Sequence, residues 1–174
     1  MKNININKLV ASALMAAMTC VATIVIAVPS PVGGFIHPGD GFVILSGIIL
    51  GPFFGGLAAG IGSMIADLIL GYSAYAAATL IIKCLAAVTA ACIYLALRKR
   101  KKLKVIPVLV AGVISGVIVT LGYFIFEGTL LGLGLAAGMN IPFNLVQSCF
   151  GIIVSVLLYP LLLKVPQIRN LIEG

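Results

Sequence analysis

Charge is what this sequence has least of. Asp, Glu, Lys and Arg make up 9% of the 174 residues, while 62% are hydrophobic and the mean hydropathy is +1.27. Soluble domains carry about 25% charged residues. A surface with so few would expose broad apolar patches to water and aggregate, so the natural solvent of this chain is lipid. Acids are scarcest, four against eleven Lys and Arg. The formal charge of +7 invites a nucleic-acid reading, but such a protein needs its basic residues on one solvated face. Here they lie between apolar runs, so no nucleic-acid partner is expected. One His and four Cys without a C-x-x-C pair offer no metal-ligand spacing. Cys20, Cys84, Cys92 and Cys149 all fall in apolar stretches, where they read as small buried apolar groups. No G-x-x-x-x-G-K-[ST], H-E-x-x-H or G-x-S-x-G occurs. The chain therefore has no phosphate-binding loop, metalloprotease motif or serine-hydrolase motif of its own. Neither an enzyme nor a resident cofactor or metal is expected.

What the sequence has is long apolar runs: 9–28, 41–70, 74–97, 105–126 and 139–163. A helix rises about 1.5 Å per residue, so about 20 such residues cross the hydrocarbon. The first run is longer than a signal-peptide core, and Pro29-Ser30-Pro31 is a poor cleavage site, so it reads as a retained span. The second run holds Gly51-Pro52 at its centre. All Lys and Arg except Lys83 fall in three clusters, at 2–8, 98–104 and 164–169. Such clusters mark the cytoplasmic side, and two of them must be separated by an even number of crossings. An unbroken second run gives an odd number between the first pair; a break at Gly51-Pro52 restores parity. Pro lacks a backbone donor and disfavours helix in the residue before it, which suits a turn there. The expectation is a single all-α membrane domain over residues 1–174. Its six spans are 9–28, 40–50, 52–71, 74–97, 105–126 and 139–163, with both termini cytoplasmic. The span 40–50 is only about 15 Å long and needs shielding by other helices.

On this topology the remaining polar residues gather on the outer side. His37 and Asp40 precede the second span, Asp67 ends the third, Lys83 lies two turns into the fourth and Glu127 ends the fifth. Asn140, Asn144 and Gln147 share one face of the sixth. Each has a structural reading. Asp67 and Lys83 can form an ion pair, since either alone costs about 2.5–3.5 kcal/mol in a membrane. Asn140 reads as a helix cap, Glu127 as a solvated helix-end acid, His37 as an exposed loop residue, and Tyr72 and Tyr75 as interfacial anchors. Asn144 and Gln147 serve equally for helix–helix bonding or ligand contact. Together they describe polar groups converging on an outward-facing cavity. Small residues form two further stripes, Ser12, Ala13, Ala16 and Ala17 on the first span and Gly56-x-x-x-Gly60 on the third. Such faces let helices approach closely, within the chain or against a partner.

Three segments carry a family resemblance: G-F-I-H-P-G-D-G-F-V from Gly34, G-P-F-F-G-G from Gly51, and A-D-L-I-L-G-Y-S-A-Y-A-A-A-T-L-I-I-K from Ala66 to Lys83. With N-I-P-F-N-L-V-Q from Asn140 to Gln147, they resemble the substrate-specific S components of energy-coupling-factor (ECF) vitamin transporters, closest to the hydroxymethylpyrimidine or pyridoxine-type branch. The resemblance implies six helices, capture of a water-soluble vitamin outside, and partnership with a transmembrane coupling subunit and two ATPase subunits that hydrolyse the ATP. It implies that Ala13 and Ala17 match the family's A-x-x-x-A docking motif. It also implies that Lys83, Glu127, Asn144 and Gln147, with Tyr75 nearby, surround the ligand. Tryptophan, a stacking residue in some members, is absent; Phe35, Tyr75, Tyr123 and Phe143 are its possible replacements. The alternatives are another vitamin (pantothenate, riboflavin or folate), a structural or assembly subunit with no ligand, or a self-sufficient channel.

The parity argument makes a direct prediction. In a cysteine-free background, a cysteine in the Gly51–Gly56 turn should react with an impermeant maleimide only from the cytoplasmic side. One at Gly33 should react only from outside. External labelling of the turn would overturn the six-span topology.

Overall fold

The computed structural model describes residues 6–98 and 105–173. Lys2 and the basic residues at 99–104, on which part of the charge argument rests, lie outside the described residues, as does the side chain of Glu173. The elements are α1 (Ile6–Val25), a short hairpin of β1 (Val28–Pro29) and β2 (Phe35–Ile36), α2 (Asp40–Ile69), α3 (Ser73–Leu97), α4 (Ile106–Thr129), a 3-10 segment (Gly134–Asn140), α5 (Ile141–Leu162) and α6 (Pro166–Glu173). Among the described residues, five helices are long and apolar enough to cross a membrane, the last of them counted with the 3-10 segment.

Helix α2 is broken where the sequence places a break. Gly51 has φ 80° and ψ 179° with Pro52 directly after it, a backbone conformation that a side chain makes costly by about 1–3 kcal/mol. Beyond it Gly55 lies so close to the Ser46–Gly47 backbone that a methyl group there would collide with it. In an unbroken helix those residues would be separated by about 12–13 Å along the axis. The chain therefore doubles back, and α2 is two arms, residues 40–50 and 52–69.

The first arm is the centre of the molecule. Val43, Ile44, Leu45, Ile48, Ile49 and Leu50 are all buried, enclosed by α1, α3, α5 and the second arm. An arm of about 16 Å cannot cross 30 Å of hydrocarbon alone; it is tolerated because protein shields it. The surrounding helices turn small and polar residues inward and large ones outward. On α4 the buried side is Ala111, Gly112, Ser115, Gly116 and Val119, while Leu109, Val113, Val117, Leu121 and Ile125 form the exposed stripe. The inner surface of α3 is Ala86, Ala87, Ala90 and Ala91. This is the pattern for helices that meet by close backbone approach within lipid. Gly56 and Gly60 belong to it, packed against Cys84 and Leu80 of α3.

Several expectations need correction. The first helix ends at Val25, and Val28 instead pairs with Ile36 in the hairpin; Pro29 and Pro31 disfavour helix in the residues before them. Cys92 and Cys149 are exposed on the outer faces of α3 and α5, while Cys20 and Cys84 are half-buried. On α1 only Met15, Thr19 and Thr23 are fully buried. Ala13 and Ala17 are exposed, whereas Ser12 and Ala16 turn partly inward. At the opposite end from the hairpin, the Tyr94 and Tyr159 hydroxyls meet at 2.6 Å, and the Arg98 guanidinium donates to the Ile172 carbonyl, fastening α6 under the bundle.

Candidate functional site

At the hairpin end of the bundle the polar residues form two neighbouring groups. The first is a closed network. Asp40 opens α2, where the helix N-terminus favours a negative charge. Its Oδ1 receives Lys83 Nζ at 2.5 Å and its Oδ2 receives Gln147 Nε2 at 2.9 Å. Gln147 Oε1 accepts the backbone N–H of His37 at 3.1 Å. The Lys83 ammonium also lies 5.4 Å from the centre of the Tyr123 ring, a cation–π distance. Lys83 is 0% and Asp40 3% exposed. The expected Asp67–Lys83 pair is thus replaced by Asp40–Lys83, because the fold lays the start of α2 directly over α3.

His37 belongs to this network and is buried, not an exposed loop residue. Its Nδ1 accepts the Gly39 N–H at 3.1 Å, with the Thr23 hydroxyl at 3.3 Å. Its ring proton therefore sits on Nε2. Burial first, and the Lys83 charge second, push the imidazole pKa down to about 3, against the pull of Asp40. The ring is neutral at physiological pH.

The second group surrounds a cavity beneath the hairpin. Ser30, Gly34, Phe35 and His37 line it from above, and Asp67, Tyr75, Thr79, Tyr123, Glu127 and Asn144 from the helices. Its free volume is about 20 Å³, little more than one water requires; admitting a ring requires the hairpin or the lining side chains to shift. The hairpin is held lightly. Asn140 Nδ2 donates to the Gly33 carbonyl at 3.0 Å, and Phe35 packs on Tyr72 with ring centres 4.7 Å apart. Glu127 is 3% exposed, not a solvated helix-end acid. Its Oε1 accepts Asn140 Nδ2 at 2.9 Å and the Tyr75 hydroxyl at 3.4 Å. Asn140 makes no side-chain cap to α5 and instead ties Glu127 to the hairpin. Thr79 and Tyr123 hydroxyls share a hydrogen bond at 2.9 Å. Buried oxygens of Asp67 (Oδ2) and Glu127 (Oε2) have no hydrogen-bond partner.

Of the residues expected to surround a ligand, Tyr75, Glu127 and Asn144 line the cavity. Lys83 and Gln147 stand behind it, in the Asp40 network. Phe35 and Tyr123 line it too, whereas the half-buried Phe143 does not. Ser30, Gly34, His37, Asp67 and Thr79 are the additions. Asp67 is an acid within an apolar run, a signal that sequence reasoning spent on the ion pair. No metal-binding cluster of His, Cys, Asp or Glu occurs among the described residues.

A bundle of long apolar helices with a polar cavity at one end defines a multi-pass membrane protein. Over residues 3–164 the chain matches the family described as ECF-type riboflavin transporter, S component, and it belongs to that family. It is also 31% identical over 136 residues, 78% of this chain and 87% of the other, to a Pyrococcus woesei protein described as "Uncharacterized protein in gap 3'region". The chain is accordingly a non-enzymatic vitamin-binding subunit of an ECF transporter in the cell membrane. S components associate with a coupling subunit and ATPases.

The closed network makes the first energetic prediction of the structure. Lys83→Met strands a buried carboxylate and should cost about 3–5 kcal/mol, whereas adding Asp40→Asn to it should restore most of the loss. Thermal and denaturant unfolding in detergent micelles measure both. A single variant no less stable than the double would show that the pair does not hold the bundle.

Proposed function

We propose that this S component crosses the membrane six times, the two arms of α2 each counting as one crossing, with both termini cytoplasmic. It captures a single-ring nitrogen heteroaromatic vitamin, hydroxymethylpyrimidine or a pyridoxine-like compound, on the outer side. The observation that carries this reading is the lidded cavity, where aromatic and amide or carboxylate groups alternate around a small volume. Flat heteroaromatic ligands need such a wall for their faces and a few fixed polar groups for their edges. Tyr75, Glu127 and Asn144 contact the ligand, while Lys83 and Gln147 hold the wall and the lid in place from behind. Riboflavin is the second reading, favoured by the description of the matched family. Its three fused rings demand a far larger displacement of the lining than one ring does.

Transport then needs the partners. Ala13 and Ala17 lie exposed on α1, a helix that gives the bundle one narrow stripe of buried residues. A small-residue face open to lipid suits close approach by a helix of the coupling subunit. Two ATPase subunits supply the ATP hydrolysis, and this chain needs no cofactor of its own.

Two experiments test the reading. Native mass spectrometry should find the vitamin bound to the purified chain, and calorimetry should show Asn144→Ala weakening it by at least about tenfold, the loss expected for one unsatisfied buried partner. Unchanged affinity would remove Asn144 from the site, and an absence of any bound or bindable vitamin would defeat the capture reading. For docking, Ala17→Trp should abolish co-purification with the coupling subunit while the isolated chain still binds its vitamin. Retained association would clear α1 of that role.

A further inference from the structure

The two cavity acids have a charge problem that the closed network does not solve. Around this end of the bundle α2 contributes Asp40 and Asp67, and α4 contributes Glu127, three carboxylates in all. The facing groups are Lys83, Tyr75 and Thr79 on α3, Tyr123 on α4, Asn144 and Gln147 on α5, and His37 on the lid. Lys83 alone among these described residues is cationic, and it is committed to Asp40 at 2.5 Å. His37 is neutral. Asp67 and Glu127 are 4% and 3% exposed, both line the cavity, and each keeps one oxygen without a partner. A buried acceptor left unmade costs about 1–3 kcal/mol, more when charged. Intramembrane acids without a counter-charge are rare for this reason.

We propose that the cavity selects its ligand for a positive charge or a protonatable nitrogen, held between the free oxygens of Asp67 and Glu127, so that Asp67 is a ligand-binding residue. This rests on the capture of a vitamin in this cavity and narrows it to basic members of that class. The ligand's N–H or N⁺–H groups supply the donors the two carboxylates lack. Charge-assisted bonds of this kind are roughly twice as strong as neutral ones. The aromatic walls Tyr75, Tyr123 and Phe35 favour a cationic ring for the same electrostatic reason. A neutral ring that presents mainly acceptors would meet oxygen with oxygen and be rejected.

Matched pairs test the charge directly. Calorimetry on the detergent-purified chain would compare pyridoxine with its benzene analogue, which lacks the ring nitrogen, and hydroxymethylpyrimidine with the analogue whose ring amine is replaced by a carbonyl. In whichever pair binds, the basic member should bind at least about tenfold tighter. That ratio should collapse towards one in Asp67→Asn and shrink in Glu127→Gln, with thermal unfolding confirming that each variant is folded. The Glu127→Gln ratio decides alone if Asp67→Asn does not fold. Equal affinities within a pair, or a ratio that survives both substitutions, overturn charge selection and leave vitamin capture standing. Binding of riboflavin and of neither pair overturns it as well. If neither pair nor riboflavin binds, capture in this cavity fails, and this inference with it.

Discussion

The ion pair between Asp40 and Lys83 is the constraint on which the hairpin half of this protein depends. Two ions removed from water cost several kcal/mol each, and their attraction offsets that only when the remaining hydrogen-bonding positions are also filled. Here Gln147 takes the second carboxylate oxygen, and the Tyr123 ring faces the ammonium. Meeting those requirements fixes three elements at once: the start of α2, α3 at Lys83 and α5 at Gln147. Through the His37 N–H on Gln147, it also fixes the root of the hairpin. The lid is thus anchored at one end by a buried network. Among the described residues, its tip is secured by Asn140 and by ring contacts.

That difference bears on function. On the proposed capture reading, a lid that opens for a vitamin and seals over it needs a firm hinge and a weak latch. The His37–Gly39 stretch, with the imidazole buried and bonded to Thr23 and Gly39, is the firm part. Gly33 and Gly34, with φ 115° and 75° against the Tyr75 ring, form the tip. Below the lid, the alanine face of α3 and the glycines of α2 let backbones approach closely enough to enclose the short first arm. One distribution of residues therefore serves both ends: small groups where helices approach closely, and hydrogen-bonding groups around the cavity and under α6.

Much of the fold was legible because membranes impose few rules and impose them strictly. Apolar runs gave the helices, and the parity of basic clusters located the break that Gly51 makes with its positive φ. The pairing of polar residues was not legible. Asp67 lies sixteen positions before Lys83, and Asp40 forty-three before it, so proximity in sequence favoured the wrong acid. Only the reversal at Gly51, which returns the second arm beside the first and lays Asp40 over α3, decides between them. His37 misled for a related reason. A His among Pro and Gly reads as loop, but this loop folds over the bundle and is buried by it. Tyr75, Glu127 and Asn144 were placed at the ligand by resemblance and do line the cavity. Lys83 and Gln147 share the same helical faces, yet the Asp40 carboxylate occupies them.

The polar residues at the hairpin end thus divide by whether the chain satisfies them. Asp40, Lys83, Gln147 and His37 are satisfied by one another and form part of the architecture. Asp67 and Glu127 each retain an unmatched oxygen toward the cavity, and an unmatched buried acceptor is a local cost that the fold carries unless a ligand removes it. A ligand that supplies the missing donors recovers what the empty arrangement loses, and a protein already holding those oxygens in place spends little further entropy in binding it. On the proposed reading, capture of a basic vitamin uses that combination. It places the discriminating chemistry in the two acids, and leaves the lysine, despite being the most conspicuous charge in the sequence, to hold the site together.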